Sequence, residues 1–144
     1  MVFDGKSFTD IAVGDTFESR LTITDSHITQ GCGLFGDFNP LHSDDEFCKG
    51  TRFGERILHG PLTSAAMTAP IGMYFYGTAV AYLEHNCSFH APVKAGDTLL
   101  TQWLISNKIV KEKIESGIAE LEGVCTNQHD VVVAKATGKI LLKM

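Results

Sequence analysis

The chain has 144 residues, 44% of them hydrophobic and 20% charged, with a formal net charge of −5. This length and balance suit one domain, residues 1–144, with one substantial core. The acidic surplus, without a basic cluster, argues against nucleic-acid binding through phosphate neutralisation. The longest apolar runs are far short of a membrane span, and the opening MVFDGKSFTD carries no basic-then-apolar leader. Cys32, Cys48, Cys87 and Cys125 form no CxxC pair, so a cytoplasmic protein with reduced thiols is expected.

From Phe17 to Thr24, Phe17, Leu21 and Ile23 face one way and Glu18, Arg20, Thr22 and Thr24 the other, which predicts a strand with one buried side. Thr24-Asp25-Ser26 offers helix-capping chemistry, and Ile28, Cys32 and Phe35 follow at helical spacing. A short helix ending at Gly33 or Gly36 is expected.

The next stretch is GDFNPLH, residues 36–42. Pro40 disfavours helix at Asn39, so residues 38–41 read as a loop or turn. On such a turn Asp37 and His42 can converge, although they lie five residues apart. An aspartate beside a histidine can hold one proton and share the handling of a water molecule. Asn39 can bond the loop's own backbone or hold a ligand oxygen. On spacing alone an Asn-Pro turn is the simpler reading. A calcium loop is poorly supported, because Leu41 and His42 stand where a ligand and a glycine are needed. A metal site from Asp37, His42 and His59 lacks any dedicated ligand spacing, and no metal is expected.

Ser43-Asp44-Asp45-Glu46 reads as a capping box that opens a helix, with its acids suited to the helix dipole. HGPLTSAAMTAPIGMYF, residues 59–75, predicts a buried helix. Pro61 suits its first turn, and Leu62, Ala65, Ala66, Ala69 and Met73 mark an apolar stripe. Pro70 is expected to kink or end it. The unpaired N–H of Gly60 at the helix start could polarise a thioester carbonyl; the simpler reading is a tight turn.

From Val80 the period changes to two, with Leu83, His85, Cys87 and Phe89 alternating against Tyr82, Glu84, Asn86 and Ser88. Further strands are expected within Leu99–Ile109, 117–126 and 131–142, the last two joined by a hairpin turn at 127–130. One strand, short helices, a buried helix and four strands in succession predict an α+β arrangement: an antiparallel β-sheet curled around a central buried α-helix.

Three segments, GDFNPLHSDDEF (36–47), FGERILHGPLTSA (53–65) and PVKAGDTL (92–99), together resemble the MaoC-like dehydratase family, which includes the (R)-specific enoyl-CoA hydratases and has the hotdog fold. The resemblance implies that Asp37 and His42 are the catalytic acid–base pair. It implies reversible addition of water to a trans-2-enoyl-CoA, giving the (R)-3-hydroxyacyl thioester. Gly60 matches the backbone donor to the thioester oxygen, Asn39 matches a residue that orients the loop or water, and Thr68 falls where the family often has a serine near the aspartate. The acyl-CoA is substrate and no cofactor is implied; an acyl carrier protein is an alternative carrier. Members commonly form homodimers, or higher oligomers built from dimers, with sheets joined edge to edge and the site near the interface. Pro61 in place of a larger apolar residue, and Pro70 inside the helix, bear on acyl length more than on reaction type. Met67, Met73, Tyr74, Phe75 and Tyr76 are candidates for the acyl tunnel, and Lys49, Arg52, Arg56 and Lys94 for the CoA tail. The rival readings are a hotdog thioesterase, which would release free CoA thiol, and a non-catalytic acyl-CoA-binding subunit of a heteromeric dehydratase.

Overall fold

The alternation that begins at Phe17 forms strand β1 (Thr16–Thr22), and Thr24 behind it caps helix α1 (Asp25–Phe35) in the computed structural model, which describes residues 4–144. The Thr24 N–H donates to Nδ1 of His27 at 2.9 Å, so a histidine takes the reciprocal place usually held by Glu or Gln. Ile28 and Cys32 are buried, whereas Phe35 lies half exposed. The helix ends at Gly36, whose φ of 79° is the left-handed conformation that glycine adopts without strain.

Of residues 38–41, expected as a loop or turn, Phe38 and Asn39 lie outside any helix, while Pro40 and Leu41 open a single helical turn, α2 (Pro40–Ser43). Asn39 caps it, its Oδ1 accepting the Leu41 N–H at 3.0 Å, and Pro40 occupies a first-turn position that needs no donor. The capping box expected on Ser43 moves one residue. Asp44 caps α3 (Asp45–Lys49) by accepting the Phe47 N–H at 2.9 Å. Ser43 is still the last residue of α2, so its hydroxyl donates backwards, to the carbonyls of Phe38 and Asn39 at 2.9 and 3.2 Å.

The buried helix, α4 (Gly60–Tyr74), runs through Pro70 and does not end there. Proline removes one N–H and leaves the Ala66 carbonyl without its helical donor. Beside it, the carbonyl of Met67 accepts Nε1–H of Trp103 at 2.7 Å from the sheet beneath. Packing, more than the helix's own ladder, carries α4 past the proline.

Four strands complete the sheet: β2 (Ala79–Phe89), β3 (Thr98–Lys111), β4 (Ser116–Thr126) and β5 (Val132–Lys143). Their order is β1-β3-β4-β5-β2, and every neighbouring pair is antiparallel. The 127–130 turn forms as expected, Oδ1 of Asn127 accepting the N–H groups of His129 and Val131 at 2.9 and 3.1 Å. Met67 and Ile71 of α4 and Phe75 just past its end cluster with Trp103, Ile105, Leu121 and Leu142 of the sheet, making the core. This is the antiparallel sheet around a central helix that the sequence predicts. Among the described residues no helix is long and apolar enough to cross a membrane.

Strand β2 departs from the simple alternation. A register shift skips Leu83, so Tyr82 opposes Ile140 while His85 opposes Gly138. A bulge of this kind inserts one residue and resets the faces. Tyr82 therefore joins His85 on the helix side, with its Oη 2.7 Å from Nδ1 of His85, and Nε2 of His85 lies 2.7 Å from Oγ of Ser64 on α4. Burial pushes the Tyr82 hydroxyl up to about 12 and pulls the His85 imidazole down.

Gly123 lies directly under Trp103, and a Cβ built there would stand 2.7 Å from the indole ring. Gly123→Ala is expected to destabilise the fold by about 1–3 kcal/mol through overpacking. Thermal denaturation checks this, at roughly 2–4 °C of midpoint for each kcal/mol; an unchanged midpoint would show that the ring shifts freely.

Candidate active site

The chain between α3 and α4 must satisfy its backbone on two sides. Ile57 donates its N–H to the Leu41 carbonyl at 3.1 Å, and Leu58 donates to Val93 at 2.7 Å. The α2 turn therefore leans on residues 57 and 58. From that turn, Nδ1 of His42 reaches the Ile57 carbonyl at 2.7 Å. A carbonyl only accepts, so the hydrogen sits on Nδ1 and Nε2 is left bare.

Nε2 of His42 lies 3.8 Å from Oδ2 of Asp37. This is too long for a direct hydrogen bond and suits a shared water. The aspartate side chain is 48% exposed and that of the histidine 12%, so a reacting molecule can reach the pair from one side. The other carboxylate oxygen, Oδ1, accepts the Asn39 N–H at 3.1 Å. Asn39 thus holds the Asp37 carboxylate through its backbone N–H and the Leu41 N–H through its side chain, which leaves Oδ2 as the oxygen facing His42.

Two neighbours hold this turn that the sequence reading did not assign to it. Arg56 forms ion pairs with Asp25 of α1 and, at 2.7 Å, with Asp45 of α3, and its Nη1 reaches the His42 carbonyl at 3.5 Å. The Asp45 hydrogen bond, offset by burial and reinforced by the charge of Asp25, holds its guanidinium above the ordinary value. His59 is fully buried. Its Nε2 is 3.0 Å from the Asp37 carbonyl, and its ring stacks on that of His42 at 3.8 Å with 25° between planes.

Asp37, His42 and His59 each offer a ligand atom within 4.8 Å of the others, yet the geometry does not fit a metal. Lone pairs of stacked imidazoles lie in their ring planes and point side by side. A tetrahedral zinc needs them to converge at about 2.0–2.1 Å.

Gly60 opens α4, and its N–H makes no hydrogen bond among the described residues. It borders a cleft of about 370 Å³ lined by Arg52, Phe53, Ile57, Thr63, Phe89 and His90, among others. A Cβ at residue 60 would stand 3.4 Å from the Phe89 ring. Ile57 links the cleft to the acid–base pair, because its carbonyl holds His42.

Thr68 is not among the residues lining this cleft. Eight residues at about 100° each place it roughly 80° past two full turns from Gly60, and its hydroxyl donates to Ala65 within its own helix at 2.8 Å. Thr63 takes the place beside Gly60. Met67 and Phe75 are fully buried core residues. Met73 and Tyr74 line a separate groove between α4 and β1, and Tyr76 is half exposed beyond the helix. Of the basic candidates, Arg56 is committed to its two acids, Lys49 to Glu46, and Lys94 to Glu55 and the Phe53 carbonyl. Arg52 rests over the Phe53 ring at 4.9 Å and borders the cleft.

The family described as MaoC like domain matches residues 10–125. The (R)-specific enoyl-CoA hydratase of Rhodospirillum rubrum is 31% identical over 126 residues, covering 88% of this chain and 85% of that protein. The 3-hydroxybutyryl-CoA dehydratase of Methylorubrum extorquens is 29% identical over 137 residues, covering 95% of this chain and 83% of that one. The unliganded R-hydratase of Pseudomonas aeruginosa superposes with a TM-score of 0.85 at 27% identity, covering 95% of this chain and 85% of the other.

Zinc is expected to leave the thermal midpoint unchanged. A ligand that binds only the folded state raises stability by RT ln(1 + [L]/Kd), so a zinc-dependent rise abolished by His59→Phe would show that the three side chains do gather an ion.

Proposed function

This chain belongs to the MaoC-like domain family, and from that premise we propose that it is a hydro-lyase acting on a trans-2-enoyl thioester, with coenzyme A as the carrier. The observation that carries the reading is the bare Nε2 of His42 at 3.8 Å from Oδ2 of Asp37, a spacing at which one water beside the pair hydrogen-bonds both, in a chain whose Gly60 N–H at the start of α4 is unpaired among the described residues.

In the hydration direction a water sits between the pair. One member takes a proton from it as the water oxygen bonds to the β-carbon. The other, which holds the pair's one proton at the start, delivers it to the α-carbon, so the pair ends with the same number of protons. Negative charge developing on the thioester oxygen is received by the Gly60 N–H, a donor already fixed at a helix start. Dehydration runs the same steps backwards. The Ile57 carbonyl keeps His42 in the one tautomer that presents Nε2, and Asn39 keeps the carboxylate turned.

Hydration of crotonyl-CoA, followed by loss of enoyl absorbance, tests the reading. Asp37→Asn and His42→Gln are each expected to lower kcat by about 10²–10⁴ with little change in KM. Full activity in either folded variant would remove that residue from the mechanism. A thiol-reactive dye is expected to detect no released CoA; stoichiometric release would favour the thioesterase instead.

We also propose that two copies pair through β2. It is an edge strand of 11 residues with Val80, Tyr82 and Leu83 exposed, and an open edge of that length is a pairing surface unless covered. Sedimentation at micromolar concentration is expected to give twice the chain mass; a persistent monomer would overturn the pairing.

A further inference from the structure

We propose that His59 is a positioning residue for the Asp37–His42 pair, holding the aspartate through its backbone and the histidine through its ring. This rests on the acid–base reading above and extends it to a side chain that touches neither substrate nor water.

His59 is fully buried, a place where a hydrocarbon side chain would pack without polar cost. Its Nε2 faces the Asp37 carbonyl at 3.0 Å, so the hydrogen sits there. Nδ1 is then bare, and it has no hydrogen-bond partner among the described residues. What stands before it is Gly31, where a Cβ would come within 2.9 Å of Nδ1. The site thus keeps an imidazole while leaving one of its nitrogens unsatisfied. Buried polar atoms are normally paired, and an exception requires a physical reason.

The reason lies on the other two sides of the ring. One requirement is a donor aimed at the Asp37 carbonyl. Another is a flat face, because His42 stacks on it at 3.8 Å while Phe35 packs edge-on at 5.4 Å. Among the side chains of this size, imidazole supplies both a donor and a flat aromatic face. Glutamine supplies only the donor and phenylalanine only the face. The face also serves the chemistry. His42 passes through an imidazolium whenever it holds the pair's proton, and an aromatic face against a cation is attractive. Gly31 completes the arrangement by leaving room for the bare edge of His59.

The roles separate by substitution. His59→Gln keeps a donor without the ring, His59→Phe keeps the ring without the donor, and His59→Ala keeps neither. All three are expected to lower kcat for crotonyl-CoA by about tenfold to hundredfold, with KM within about twofold. His59→Ala is expected to be the most affected and the two partial mimics to recover part of the loss. Nitrogen-15 shifts of His42 are expected to lose the signature of a single Nδ1–H tautomer in His59→Ala. Gly31→Ala in a Leu62→Ala background, where the leucine Cδ1 that would otherwise meet the new Cβ at 2.5 Å is gone, leaves His59 in place and presses on its bare edge at 2.9 Å; relative to Leu62→Ala alone it is expected to lower kcat in the same way, and serves if the His59 variants do not fold. If folded His59 variants keep kcat within twofold, or lose only KM, while His42→Gln is inactive, the inference falls and the acid–base reading stands. If His42→Gln is itself active, the reading beneath it falls instead.

Discussion

The hydrogen bond from Nδ1 of His42 to the Ile57 carbonyl is the constraint on which the site is organised. It sets which imidazole nitrogen is bare, and it ties a four-residue helical turn to the segment that leads into the central helix. That segment is itself pinned from the far side, where Leu58 donates to Val93. The acid–base pair, the Gly60 donor and the cleft beside it are therefore parts of one braced strip of chain. A loop carrying the same residues without that brace would leave the gap between Asp37 and His42 undefined.

The brace depends in turn on the core. Helix α4 carries a proline in its interior and still runs to Tyr74, because Trp103 donates to its Met67 carbonyl and the sheet packs along its length. The N-terminal half of α4 is also tied to the edge strand, by Ser64 through His85 to Tyr82. The helix start that presents Gly60 is thus fixed from below by an indole and from the side by a polar chain. Arg56 does for the outer helices what Ile57 does for the inner strip, joining α1 and α3 to the His42 backbone.

The order of elements was legible because each rests on a local signal. The Phe17 alternation, the Thr24 cap, the apolar 59–75 stretch and the Asn127 turn all lie within a few residues of where they are found. Asp37, Asn39 and His42 were legible because proline restricts their turn. The misplacements have identifiable physical causes. Ser43 lost its cap to Asp44 because α2 adds one helical turn upstream. Tyr82 changed faces because a bulge, unmarked by glycine or proline, reset the strand. Thr68 lies about 12 Å along the helix from Gly60 and bonds back to Ala65, whereas Thr63, within one turn, lines the cleft. His59 was visible only as a candidate ligand; the glycine at residue 31, whose missing side chain makes room for the imidazole, signals its packing only once the two helices are together.

By itself the sequence determined an α+β chain with an antiparallel sheet around one buried helix, and it singled out an aspartate and a histidine able to share a water. The fold follows from periodicity and capping, which act within a few residues; the pair stood out through the resemblance of its motif to a known family, since its spacing alone reads as a turn. Only the tertiary structure decided which nitrogen of His42 is free, that Arg56 is already committed to two acids, and that His59 stacks on His42 and faces the Asp37 carbonyl. Each of these depends on groups 11 to 31 residues apart in the chain. Their meeting is set by how helix, turn and sheet pack, and no local pattern encodes that distance.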